Sequence, residues 1–140
     1  MIFWDTSAFV RCYSRNEPGQ SRAANLLASR ERQSGSVLLL PETMAALARM
    51  AGSNRPLRDK VLRDARSALG EFELLPADIG QAEMAARFAV DHRLRGADAL
   101  HVAAAFLLSK ELARGVRFVT SDVEQAAAAR SEKLKVIFVA

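Results

Sequence analysis

An α/β fold built on a mainly parallel sheet of about five short strands is what the sequence predicts. Five short apolar or β-branched segments recur along the chain. Helical patterns separate them, so strands and helices alternate. The brevity of the segments fits strands buried on both faces, as a parallel sheet requires.

In chain order, Ile2 to Trp4 is the first strand, bulky and wholly apolar. Pro18 to Arg32 reads as a helix, with Ala23, Leu26 and Leu27 on one side and Arg22 and Arg30 outside. Val37 to Leu40 is the second strand, introduced by Ser34-Gly35-Ser36 and stopped by Pro41. Glu42 to Met50 is an Ala- and Met-rich helix, broken by Gly52-Ser53-Asn54 before Pro56 opens the next one. That helix, Pro56 to Leu69, carries Val61, Leu62, Ala65 and Leu69 on its apolar face. Glu71 to Leu75 is the third strand, and Gln81 to His92 a helix repeating Met84, Ala85, Phe88 and Ala89. Ala97 to Leu112 is apolar nearly all round and should be the most buried helix. Arg117 to Val119, a helix over Val123 to Ala129, and a strand over Lys135 to Val139 complete the chain. No repeat or linker divides it, so residues 1–140 read as one domain.

Composition narrows the function classes. Half of the 140 residues are hydrophobic and 26% are charged, ordinary for a globular protein with a real core. The longest apolar run, Val102 to Leu108, is too short to span a bilayer. No basic region precedes the first apolar stretch and Asp5 interrupts it, which argues against a secretory signal. The lone Cys12 excludes an internal disulfide and a cysteine zinc site, and it fits a reducing cytoplasm. Net charge is +4, concentrated early: Arg49 to Arg66 holds six basic residues against two acids. Such a stretch is either a polyanion-binding rim or a solvated helix face with Asp59–Arg63 as an i,i+4 pair.

Four carboxylates stand where burial is expected. Asp5 ends the first strand in MIFWDTS, Glu42 follows the second strand and Pro41, and Asp122 follows the fourth in RFVTSD. Asp98 opens the most apolar helix, in GADALHVAAA. Taken singly, each is explained as a helix cap or a first-turn acid. Taken jointly, in a parallel sheet they would meet at one edge, where like charges repel and raise each other's pKa. A hard divalent cation, Mg²⁺ or Mn²⁺, resolves that conflict through oxygen ligands.

These four acids, in WDTSAFV, after a short strand, in GADALHVAAA and in FVTSD, resemble those of the PIN domain, and the resemblance runs over essentially the whole chain. Within that family, size and element order are most similar to the VapC-type ribonuclease toxins of bacterial toxin–antitoxin pairs. The resemblance implies a three-layer α/β/α sandwich and Mg²⁺- or Mn²⁺-dependent hydrolysis of RNA phosphodiesters. It makes Asp5 and Asp98 the expected direct ligands, with Glu42 sharing an ion or orienting water, and Asp122 binding a second ion or acting through water. Ser7 and Thr120 would position a water or a carboxylate, or cap helices. Arg11, Arg15, Arg49, Arg55 and Arg58 would contact phosphate. The implied partners are RNA, a cognate antitoxin that covers the acids with a basic side chain, and a second copy docked on the early helices. No histidine is required: His101, one turn after Asp98, is either on the same side as that acid or, the favoured reading, a satisfied buried residue, and His92 is a helix-end residue.

Two other readings fit the sequence less well. An aspartyl-phosphate enzyme would want a second aspartate at Ser7, and a receiver domain would want a lysine where Asp122 stands. A non-catalytic RNA- or protein-binding module on the same scaffold would have no use for four acids.

Overall fold

The computed structural model describes residues 1–140. Five strands, β1 (Ile2–Trp4), β2 (Gln33–Ser36), β3 (Glu73–Leu75), β4 (Arg117–Thr120) and β5 (Lys135–Phe138), form one sheet in the order β3-β2-β1-β4-β5. Every pairing is parallel. Side chains alternate across a strand, and the three residues of β1 show what that does here. Phe3 joins one core, and Ile2 and Trp4 join the other. The first core is covered by α5 (Ile79–His92), α6 (Gly96–Glu111) and α7 (Val123–Ser131). Against the second pack α1 (Thr6–Arg11), α2 (Gln20–Leu27), α3 (Leu39–Ala51) and α4 (Arg55–Leu69). The result is the three-layer α/β/α sandwich. No helix is long and apolar enough to cross a membrane.

Local chemistry explains the boundaries. Asp5, Asn54, Asp78 and Asp122 cap the helices that follow them, each accepting a backbone N–H with its side chain. Helix α6 follows its prediction within one residue at each end, and Ala99, His101 to Ala105 and Leu108 are all buried. Small side chains let it lie close to the sheet.

Three expectations are corrected. The second strand is not Val37 to Leu40 but the preceding Gln33–Ser36. Position 35 lies opposite Trp4 in the sheet, and a Cβ there would come within 2.7 Å of Leu39 and 3.3 Å of the Trp4 carbonyl. Small residues therefore form the strand, and the apolar run turns into α3 to bury Leu39. The helix expected to reach Arg32 ends at Leu27, which frees the chain to enter β2. Asp59 and Arg63 do not pair; instead Asp59 meets Arg58 at 3.7 Å and Asp64 meets Lys60 at 2.6 Å.

One glycine carries an expected result of its own. Gly19, the N-cap of α2, has φ +83°, and a Cβ there would lie 2.6 Å from the Val139 carbonyl carbon. Gly19→Ala should cost about 2–4 kcal/mol, combining left-handed strain with overlap on a backbone that cannot give way. Urea unfolding with an unchanged midpoint would refute this.

Candidate active site

Because all five strands run parallel, their carboxyl ends share one edge. The chain lays down β1, β2 and β3 toward one side of the sheet and then returns past β1 to place β4 and β5. The crevice between β1 and β4 is thus the switch point where open α/β sheets bind ligands. Asp5 and Asp122 follow the two strands that flank it.

Asp5 directly follows β1 and is fully buried, its N–H bonded to the Val119 carbonyl at 3.1 Å. Its Oδ1 accepts from Ala8 N–H and Ser7 Oγ, both at 2.9 Å. Its Oδ2 accepts from Ser7 Oγ at 2.7 Å and Thr120 Oγ1 at 2.9 Å. Ser7 and Thr120 therefore both hold a carboxylate. They also tie in the next loop, accepting the backbone N–H of Ser121 and Asp122 respectively. Burial pushes the Asp5 pKa up despite the opposing field of His101 and these hydrogen bonds.

The other three acids share a pattern: one carboxylate oxygen is bonded by the protein and the other is not. In the first turn of α3, Glu42 Oε1 accepts from Thr6 Oγ1 at 2.8 Å and lies 2.6 Å from His101 Nε2. In the first turn of α6, Asp98 Oδ1 accepts from Gln125 Nε2 at 3.2 Å. At the N-cap of α7, Asp122 Oδ1 accepts from the N–H groups of Glu124 and Gln125. Helix N-termini favour negative charge at all three places. The His101 bond, above all, holds the Glu42 carboxyl below the usual carboxylate range. The Asp98 pKa is raised, first by burial and then by the neighbouring charge of Asp122, with Glu42 adding to it.

The donor chemistry fits a hard cation. Carboxylate oxygens and hydroxyls dominate, and the mutual repulsion felt at Asp98 is the kind a divalent ion relieves. No three acidic, histidine or cysteine side chains are already gathered as a ligand cluster. An ion here would therefore keep several waters, as Mg²⁺ does.

His101 is buried as expected, and its one hydrogen-bonded nitrogen is engaged by a site carboxylate. It faces the site, with Nε2 also 3.3 Å from Thr6 Oγ1 and Nδ1 without a partner. Thr6 and Gln125 were not anticipated. Gln125 sits three residues into the turn after Asp122, a spacing that marks nothing without the fold. Of the arginines, Arg11 lines a cleft of about 280 Å³ with Thr6, Ser7 and Ser121, where it pairs with Glu17. Arg15, Arg49, Arg55 and Arg58 do not line it. Arg15 instead borders a larger groove of about 630 Å³ shared with Tyr13, Met50, Leu57 and Lys60.

Against known proteins, the profile of the PIN domain matches residues 2–137. The chain belongs to the PIN-domain family. This PIN domain is 35% identical over 109 residues to Ribonuclease VapC45 and to Ribonuclease VapC49, both of Mycobacterium tuberculosis, covering 75% of this chain and 74% of each relative. Its backbone matches a chain of FitAcB from Neisseria gonorrhoeae with a TM-score of 0.70 at 20% identity, over 98% of this chain and 96% of that one. A chain of a toxin–antitoxin complex from Klebsiella pneumoniae matches at 0.68 and 16% identity, over 100% and 98%. These two likenesses establish the fold.

Proposed function

We propose that this PIN domain is a Mg²⁺- or Mn²⁺-dependent endoribonuclease and the toxin of a toxin–antitoxin pair, acting in the cytoplasm. Ribonuclease activity is supported by the two VapC relatives at 35% identity. The observation that carries the chemistry is the set of half-tethered carboxylates, Glu42, Asp98 and Asp122, beside buried Asp5 at the sheet's switch point.

In this reading Asp98, Glu42 and Asp122 would hold the cation, in part through water; Asp5, expected as a direct ligand, has both carboxylate oxygens bonded by Ala8, Ser7 and Thr120 and would add charge from within the core. A bound Mg²⁺ would supply Lewis acidity toward water and offset charge building on the scissile phosphate. The protein's own part is to keep these carboxylates rigid and ionised. Ser7 and Thr120 do so for Asp5, Thr6 and His101 for Glu42, and Gln125 for Asp98. Arg11, at the rim of the cleft, would meet a phosphate once released from Glu17.

An antitoxin partner is supported by the fold shared with a chain of the Klebsiella pneumoniae toxin–antitoxin complex. Homodimerisation was expected on the early helices. The most exposed large apolar residues are instead Ile79 and Val90 on α5, at 78% and 79%, which favours that helix as the contact.

The test is cleavage of single-stranded and structured RNA by the wild type and by Asp98→Asn, in Mg²⁺, Mn²⁺ or EDTA. We expect cleavage only with a metal, and a loss of about 10²-fold or more in the variant, the scale of removing one charge-stabilising group. Activity surviving both chelation and the substitution would overturn the assignment.

A further inference from the structure

The metal-nuclease reading uses Glu42 but leaves unexplained why a histidine is buried against it. His101 lies on the most apolar helix and is 1% exposed, with no solvent to share its polar atoms. Burying an imidazole there is costly unless its nitrogens are engaged. One is: Nε2 stands 2.6 Å from Glu42 Oε1. Since that partner is a carboxylate oxygen, which only accepts, Nε2 must carry the hydrogen.

Thr6 Oγ1 reaches the same oxygen at 2.8 Å, and it also lies 3.3 Å from Nε2. Two donors from separate elements, α1 and α6, thus converge on Oε1, and no hydrogen bond reaches Oε2. Glu42 itself is one-third exposed at the start of α3, where a free glutamate would sample many rotamers. The clamp removes that freedom.

We propose that His101 is a positioning residue of the reaction: with Thr6 it clamps Glu42 through Oε1 and leaves Oε2 as the one oxygen available to a bound cation. This rests on the metal-nuclease reading above. Residues that orient a ligating group from behind typically change metal affinity by 10–100-fold, and His101 holds that place for Glu42.

The experiment compares His101→Leu, which fills the space without a donor, with His101→Gln, whose amide nitrogen lies the same three bonds from Cβ as Nε2. Mn²⁺ binding is read by calorimetry in the absence of RNA, in the wild-type and Glu42→Gln backgrounds, with circular dichroism to confirm folding. Thr6→Val, at the more exposed first turn of α1, is included as a variant that spares the core. We expect His101→Leu to weaken Mn²⁺ about tenfold or more, Thr6→Val to weaken it less, and His101→Gln to recover most of the loss. In Glu42→Gln, His101→Leu should change affinity by less than about twofold, because residues acting as a unit are non-additive. Proton NMR adds a metal-free readout: a downfield, exchange-protected Nε2–H in the wild type that shifts in Glu42→Gln.

Unchanged Mn²⁺ affinity in folded His101→Leu or Thr6→Val, or an equal loss in both backgrounds, would overturn the clamp while wild-type binding and cleavage left the nuclease reading intact. A wild type that binds no Mn²⁺ would overturn that reading, and the clamp's role with it.

Discussion

Replacing Asp5 with asparagine should raise the melting temperature while reducing RNA cleavage by about 10²–10³-fold. Asp5 is fully buried, and burial outweighs the His101 field and the bonds from Ala8, Ser7 and Thr120, so its pKa is raised on folding. For an acid with a raised folded pKa, the folded state binds the proton more tightly than the unfolded state. The resulting stability is full below the unfolded value near 3.8 and is lost as pH rises through the folded value. Above the folded value, where the carboxylate is ionised, its charge is therefore a net cost. Asparagine keeps the shape and an oxygen for the Ala8 N–H, and its amide can donate to the Thr120 hydroxyl, but it carries no charge. We expect a gain of a few degrees at pH 7, about what 1 kcal/mol produces in a domain of this size. The gap should close as pH falls through the raised pKa of the wild-type acid. Scanning calorimetry at several pH values, paired with a gel cleavage assay, checks both halves. A lower melting temperature for the variant at pH 7 would mean that the hydrogen bonds dominate and would refute the argument.

The same residue shows how much of the protein was legible in its sequence. A strand that ends on Asp-x-Ser with no basic neighbour is visible in MIFWDTS, and so are the apolar helix opened by Asp98 and the hydroxyl two residues before Asp122. These are local features, and they suffice for the alternation of elements and for the edge on which the acids stand. What was not legible depends on contact across the fold. Gln33–Ser36 pairs with β1, with Gly35 fitting between Trp4 and the Leu39 side chain, and nothing in the run Gln-Ser-Gly-Ser announces that. Gln125 reaches Asp98 from 27 positions away, and His101 reaches Glu42 from 59. The spacing of Asp98 and His101 placed the ring one turn along the helix. Only the fold, which brings His101 of α6 and Glu42 of α3 to the same edge of the sheet, shows that it bonds a carboxylate instead of filling a gap. The placement of the arginines is illegible for the opposite reason. Long exposed side chains are placed by neighbours such as Glu17, and charge counts cannot tell a phosphate contact from a solvated helix.

Adding Mn²⁺ should stabilise the folded protein, and chelating it should abolish cleavage. The driving force is the crowding of charge: Asp98 is half-buried and its pKa is raised first by that burial, then by Asp122 and Glu42. A divalent ion held near them, directly or through water, would convert this repulsion into attraction, and that energy would appear as folding stability because the unfolded chain has no such site. At a free Mn²⁺ concentration 100 times its dissociation constant the gain is about 2.7 kcal/mol, enough to shift the melting temperature by several degrees. In Asp98→Asn the shift should shrink together with the activity. The pH dependence has a definite sign. Protons compete with the ion for Asp98, so affinity is highest at neutral pH and falls as pH drops. The raised pKa places the start of that fall above the range of an ordinary aspartate. Melting curves with Mn²⁺ and with EDTA across this range separate the alternatives: a metal shift that is absent in the wild type, or equal in Asp98→Asn, would remove the carboxylates from the ion's ligands and leave the repulsion among them without a function.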